Sequence, residues 1–163
     1  MPLNQQEARP TLTLERSFKA SVDAVWELWT TAKGIEAWWG PDGFAVTVRR
    51  LDLLPGGELR YGMTATGADQ IDYMKKAGMP LSTEHLVTYT EIVPQRSLAY
   101  LALVDFVPGV DPYDVATLIE FEPEGSGSRL ILTFDAMHDD KWTRLAVMGR
   151  ESELERLARL VEA

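Results

Sequence analysis

An α+β fold, one curved antiparallel sheet of seven strands with its helices gathered to one side, is what three features of this sequence predict. Six strand-like segments follow one another between residues 44 and 135, separated by turn signals and one insertion. Parallel pairing would need long crossovers that those turns do not provide. A seventh strand-like segment and an amphipathic helix precede them, and a long amphipathic helix ends the chain. The 163 residues suit one domain, expected over 11–163 behind a flexible N-terminal stretch at 1–10.

Residues 12–19 alternate Leu12, Leu14, Arg16 and Phe18 with Thr13, Glu15 and Ser17, the period of a strand with one mostly apolar face. Ser21 then caps a helix in which Val22, Val25, Trp26 and Trp29 fall at i, i+3, i+4 and i+7. That helix ends near Thr31, where Lys33-Gly34 breaks the pattern. A short apolar helical turn over 35–39 follows, stopped by Gly40-Pro41. Segments 44–53, 58–65, 84–93, 98–106, 115–121 and 130–135 read as strands. Pro55-Gly56-Gly57, Pro94-Gln95-Arg96, Pro108-Gly109 and Gly125-Ser126-Gly127 supply turn signals between them.

The insertion at 67–82 carries a helical pattern over 69–77, with Ile71, Met74 and Ala77 at i, i+3, i+6 and Lys75-Lys76 outward. Gly67 and Gly78 flank it as hinges and Pro80 stops it, so a lid over a cavity is expected, with a helix packed permanently on the sheet edge as the alternative. From Asp139 the last helix runs to the end, with Asp139 or Asp140 capping it. At about 100° per residue, Trp142, Leu145, Ala146, Gly149, Leu157 and Leu160 share one face. Glu153 falls in the middle of that stripe, one turn past Gly149, where a missing side chain costs a helix about 1 kcal/mol against alanine. Arg60, Arg150 and Arg156 are its candidate partners, and an edge ion pair with Arg150 or Arg156 is the plainer alternative to a pocket role.

Lys+Arg total 16 and Asp+Glu 25, a net charge of −9, which disfavours nucleic acid and anionic membrane surfaces. No cysteine is present, which removes disulfides, thiolate metal sites and thiol nucleophiles. No stretch approaches the roughly 20 apolar residues of a membrane span, and the start has no signal-peptide pattern. A cytoplasmic protein, monomer or homodimer, is expected, with no membrane insertion.

No catalytic motif stands out. Gly125-Ser126-Gly127-Ser128 has the composition of a turn rather than a nucleophile elbow. His85 and His138 belong to no metalloprotease pattern, and His138-Asp139-Asp140 reads as a helix entry. His85 is expected as a satisfied polar residue at the sheet edge. No catalytic residue, metal ligand or cofactor is assigned. The aromatics and methionines say more. Trp26 and Trp29 lie on a helical stripe and read as core, whereas adjacent Trp38 and Trp39 diverge, so one packs and the other reaches a cavity mouth. Met63, Met74, Met79, Met137 and Met148, with Tyr61, Tyr89, Tyr100 and Phe134, supply an adaptable apolar lining. Phe106 and Tyr113 bracket the proline-containing loop 105–113, and at least one of them should cover the opening. A curved sheet cannot press flat along one helix, so the cavity is expected between them.

Phe18-Lys19-Ala20-Ser21-Val22-Asp23-Ala24-Val25-Trp26, Trp38-Trp39-Gly40-Pro41, Asp52-Leu53-Leu54-Pro55-Gly56-Gly57, Tyr89-Thr90-Glu91-Ile92-Val93-Pro94 and Met137-His138-Asp139 occur in that order. Together they resemble the SRPBCC (START-like) superfamily and, within it, the heat-shock-protein-90 ATPase activator homologue family. The resemblance implies a helix-grip fold, a curved sheet wrapped around the long C-terminal helix. The chain departs from many relatives in following Gly149 with Arg150 rather than tryptophan, and in the length of the 67–82 insertion. No counterpart is expected of the separate domain that precedes this one in the eukaryotic activator.

The favoured function is a binding protein for a small hydrophobic or amphipathic molecule, without catalysis. The ligand-binding candidates are Trp39, Arg60, Met63, Tyr73, Met74, His85, Tyr89, Tyr100, Phe106, Tyr113, Trp142, Gly149 and Glu153. An interaction with a chaperone ATPase is the alternative the family name implies. A polyketide-cyclase-like or hydrolase-like enzyme is the third reading, with Glu153, His85, Arg60 and Tyr113 as its candidate acids and bases.

Overall fold

In the computed structural model, which describes residues 9–162, the chain runs β1 (Thr11–Phe18), α1 (Val22–Thr30), α2 (Ala32–Trp38), β2 (Phe44–Leu51), β3 (Glu58–Ala65), α3 (Ala68–Lys76), β4 (Ser82–Val93), β5 (Ser97–Val104), β6 (Tyr113–Glu124), β7 (Gly127–Asp135) and α4 (Asp140–Val161). Of the stretch expected to be flexible at 1–10, residues 1–8 lie outside the described residues. Arg9 donates from Nη2 to the Asp114 carbonyl at 3.1 Å, and the Pro10 carbonyl accepts from the Ala136 N–H. Among the described residues no helix is long and apolar enough to cross a membrane.

The strands form one sheet in the order β1-β7-β6-β5-β4-β3-β2, every pair antiparallel. Consecutive strands pair from β2 to β7, with α3 inserted between β3 and β4, and β1 reaches its edge by pairing Thr11 with Asp135 through to Phe18 with Ser128. Register shifts at Val48/Arg50 in β2 and at Tyr89/Glu91 in β4 are bulges of the kind that bend a strand. The α+β class and the helix-grip arrangement are as the sequence predicts.

Two local readings need correction. Lys33-Gly34 does not break a helix but sits inside α2. Thr31 ends α1 and caps α2, its hydroxyl accepting from the Gly34 N–H. A Cβ on Gly34 would stand 2.7 Å from the Leu28 Cα and 2.9 Å from the Glu27 carbonyl, so glycine is there for close approach of the two helices. Leu160, expected on the inward face of α4, is exposed. Leu154, Leu157 and Ala158 are the buried residues of that helix, lying at roughly 120°, 60° and 160° from Trp142 on the helical wheel. The covered face therefore turns along α4. Its first half looks toward the sheet's inner face, while its second half packs toward α2 and β1.

The main core joins Trp26, Trp29 and Trp38 to Leu59, Leu98, Ile119, Phe121, Leu130 and Leu157. A second cluster of Val104, Val107 and Val115, flanked by Phe106, Tyr113, Met137 and Trp142, closes the other end of the sheet. What lies between the two clusters is the site.

Candidate functional site

A cavity of about 430 Å³ lies between the sheet and the first half of α4, within the range of roughly 300–1,000 Å³ typical of small-molecule sites. Strand periodicity sets its walls. Tyr61 and Met63 point inward from β3, Thr83, His85 and Val87 from β4, Tyr100, Ala102 and Val104 from β5, Val115 from β6 and Phe134 from β7. On α4, Trp142, Leu145, Ala146, Gly149, Arg150 and Glu153 face them at helical spacing. Trp39, the residue that ends α2, walls one side. The inserted helix α3 covers another with Tyr73 and Met74, followed by Met79. Gly149 leaves open space, since a Cβ there would meet nothing within 4 Å.

The walls are mostly apolar, and the polar groups collect toward Glu153 and Arg150. The Glu153 carboxylate accepts from the Gly40 N–H at 3.3 Å and lines the cavity from α4. Burial raises its pKa above the ordinary 4.5, opposed by Arg150, the Gly40 N–H and Arg156. Arg150 donates to the Thr117 hydroxyl at 2.9 Å and lays its guanidinium 4.3 Å from the Phe134 ring centroid. Burial likewise raises Tyr61 and Tyr100, so both stay phenols at neutral pH. His85 stacks on Tyr61 at 5.1 Å, across the β3–β4 register that pairs them, and its Nε2 meets the Thr83 hydroxyl at 2.7 Å. Burial lowers its pKa, opposed by Asp105 and Glu84, which favours the neutral ring.

Of the sequence candidates, Trp39, Met63, Tyr73, Met74, His85, Tyr100, Phe106, Trp142, Gly149 and Glu153 line this cavity. Arg60 does not. Strand alternation turns it outward between Leu59 and Tyr61, where it pairs with Glu58 at 2.9 Å. Tyr89 is on the inward face but at the closed end, 2 % exposed in the core beside Tyr100. Tyr113 sits past the other end, its hydroxyl 2.6 Å from His138 Nδ1 and its ring under the Arg9 guanidinium. Phe106 covers the cavity there instead, between His85 at 5.5 Å and Trp142 at 6.1 Å. His85 is on an interior strand, not at the sheet edge. Trp38 packs while Trp39 lines, and Met148 is exposed rather than lining.

Glu153 makes no ion pair with Arg150 or Arg156 within 4.0 Å. Arg156 instead donates to the carbonyls of Gly40, Pro41 and Phe44. Arg150 itself was legible only as a partner for Glu153, and Thr83 and Ala102 were not singled out. Each of the latter two lies two residues from a candidate, His85 and Tyr100, and so shares its strand face. Among the described residues no His, Asp and Glu cluster is placed to hold a metal ion, and Asp139 caps α4 through the Trp142 N–H.

The Glu153 shift has a sign that can be measured. A carboxyl whose pKa is raised on folding binds more protons folded than unfolded, so its contribution to stability falls as pH rises from about 4.5 to the folded value. Glu153→Gln keeps the shape and the acceptor for the Gly40 N–H but is neutral at every pH. The variant should gain stability relative to the parent as pH rises through that window and lose the advantage near pH 4.5. Denaturant unfolding across pH checks it, and a difference independent of pH would contradict the assignment.

A family model described as activator of Hsp90 ATPase homolog 1-like protein matches residues 19–162. Among solved structures, a protein from Chromobacterium violaceum is 22% identical, with a TM-score of 0.72 over 94% of this chain and 99% of that one. An AHSA1 protein from Silicibacter pomeroyi is 21% identical, with a TM-score of 0.73 over 94% and 98%. One from Mycobacterium smegmatis is 21% identical, with a TM-score of 0.72 over 99% and 96%. At these identities the likeness is one of fold. No match is found among the curated proteins.

Proposed function

The chain belongs to the activator of Hsp90 ATPase homolog 1-like family, and from that premise we propose that it binds a small amphipathic molecule between its sheet and α4. One observation carries the reading: a cavity of about 430 Å³ with aromatic, methionine and aliphatic walls and a few convergent polar groups at one end. Burying ligand carbon against such walls contributes roughly 25 cal/mol per Å² of apolar area. The polar groups then fix which way round the ligand sits. The fold by itself does not fix this function, since one fold hosts many.

Trp39 and Trp142 face the cavity, so their fluorescence reports on it. Titration with 1-decanol and with decanoate should give a saturable change at one molecule per chain, and native mass spectrometry of protein purified from its own host should show a retained small molecule. Absence of both would overturn the reading. Stimulation of the host chaperone's ATPase by a chain that binds no small molecule would replace it with the activator role.

A further inference from the structure

Arg150 is held in place from two sides and open on a third. Across the sheet, Tyr100 pairs with Thr117 and Thr117 with Phe134, so the three side chains form one row on the inner face. Arg150 crosses that row from α4, bonded to the buried Thr117 hydroxyl at 2.9 Å and resting on the Phe134 ring. A guanidinium carries five N–H donors, and the Thr117 hydroxyl at 2.9 Å and the Tyr100 hydroxyl engage only part of that set. Among the described residues no carboxylate stands within the 4.0 Å of an ion pair with it. Glu153 is the nearest acid on its helix face, and one of its oxygens is turned to the Gly40 N–H. Asp135, the other acid at the cavity, alternates away from Phe134 and accepts from the Ala116 N–H.

We propose that the molecule held in the cavity is an amphipathic carboxylate, bound head first, and that Arg150 selects its head group. The proposal rests on the binding reading above. The groups converging near Arg150 are chiefly donors. The guanidinium offers planar paired N–H groups, which match a carboxylate in two-point geometry. The Tyr100 hydroxyl belongs to the same polar group as Arg150 and Thr117, and Tyr61 adds a second phenol. Because burial keeps both phenols protonated, both can donate to an anion. An amine would meet a fixed cation beside Glu153, and an alcohol would accept a hydrogen bond from the guanidinium without balancing its charge.

The test is calorimetric titration of the whole chain with decanoate, 1-decanol and decylamine at neutral pH, repeated on Arg150→Met. The unaltered protein should prefer decanoate to 1-decanol by at least about tenfold, because a carboxylate meets the guanidinium with two hydrogen bonds and an opposite charge where an alcohol accepts one bond. Arg150→Met, which keeps apolar contact with Phe134, should erase that preference by lowering decanoate affinity at least about tenfold more than 1-decanol affinity. Equal or tighter binding of 1-decanol or decylamine in the unaltered protein overturns the proposal, as does an undiminished preference in the variant. Where the variant melts early, the head-group series on the unaltered protein decides alone. Binding of none of the three overturns this proposal, and the cavity reading with it where no molecule is retained from the host. Binding of 1-decanol without a carboxylate preference overturns this one only.

Discussion

Trp38→Ala should destabilise the protein by about 3–5 kcal/mol, the cost of removing a large aromatic from a core that cannot fully collapse. Trp38 is 1 % exposed and among the largest fully buried side chains of the molecule. Its ring packs against Trp29 at 4.5 Å and Trp39 at 5.2 Å, and its Nε1 donates to the Leu28 carbonyl at 2.8 Å. That hydrogen bond ties α2 back to α1, so the substitution also strands a carbonyl at the helix junction. A domain whose whole stability is about 5–15 kcal/mol would be left marginal. Denaturant unfolding should show a lower midpoint at similar slope. Met148→Ala, at a residue 65 % exposed, is the control and should stay within about 0.5 kcal/mol. A loss below about 1 kcal/mol at Trp38 would mean that this aromatic cluster does not organise the core. The effect should reach the site as well, because Trp39 stands between Trp38 and the cavity residues Tyr61 and Tyr100.

How much of this was legible in the sequence depends on which period carries the information. The seven strands and their antiparallel pairing followed from apolar alternation and turn residues, whereas the place of β1 beside β7 did not. The family words did the rest for the fold. Alternation also puts Tyr61 and Met63 on the same face, and Arg60 on the other, but it does not say which face is inside. Arg60 entered the candidates for that reason and left them when Leu59 proved to be core. Nor does alternation mark position along a strand. Tyr89 and His85 share a face, yet one lies in closed core and the other at the cavity. Gly34 reads as a helix breaker, and only the approach of α1 to α2 explains why it belongs inside a helix. The wheel drawn from Trp142 placed Gly149 and Glu153 correctly and Leu160 wrongly, because what lies opposite α4 changes along its length. Arg150 was hidden by its chemistry. An arginine beside a glutamate on a helix reads as a surface pair, and its true neighbours, Thr117 and Phe134, come from strands far away in sequence.

Gly149→Trp should abolish binding of decanoate and 1-decanol alike, by about 100-fold or more in affinity, while leaving the fold intact. Glycine in a helix interior is a loss of about 1 kcal/mol against alanine, so replacing it relieves the backbone rather than straining it. Its φ is that of an ordinary helix, and an added Cβ would meet no atom within 4 Å. The space in front of it is the cavity, and its stripe neighbours Ala146, Arg150 and Glu153 line the same wall. A tryptophan side chain brings roughly 150–250 Å² of surface into that space, in a volume of about 430 Å³. It would stand between the apolar walls and the polar end, so neither the body nor the head of a ligand could take its place. Thermal melting should stay within a few degrees of the parent or rise, since aromatic surface is gained against Phe106 and Trp142. Arg150→Met should remove only the choice between head groups, so the pair of variants separates the volume of the site from its chemistry. If Gly149→Trp folds and still binds both probes as the parent does, the ligand lies somewhere other than between the sheet and α4.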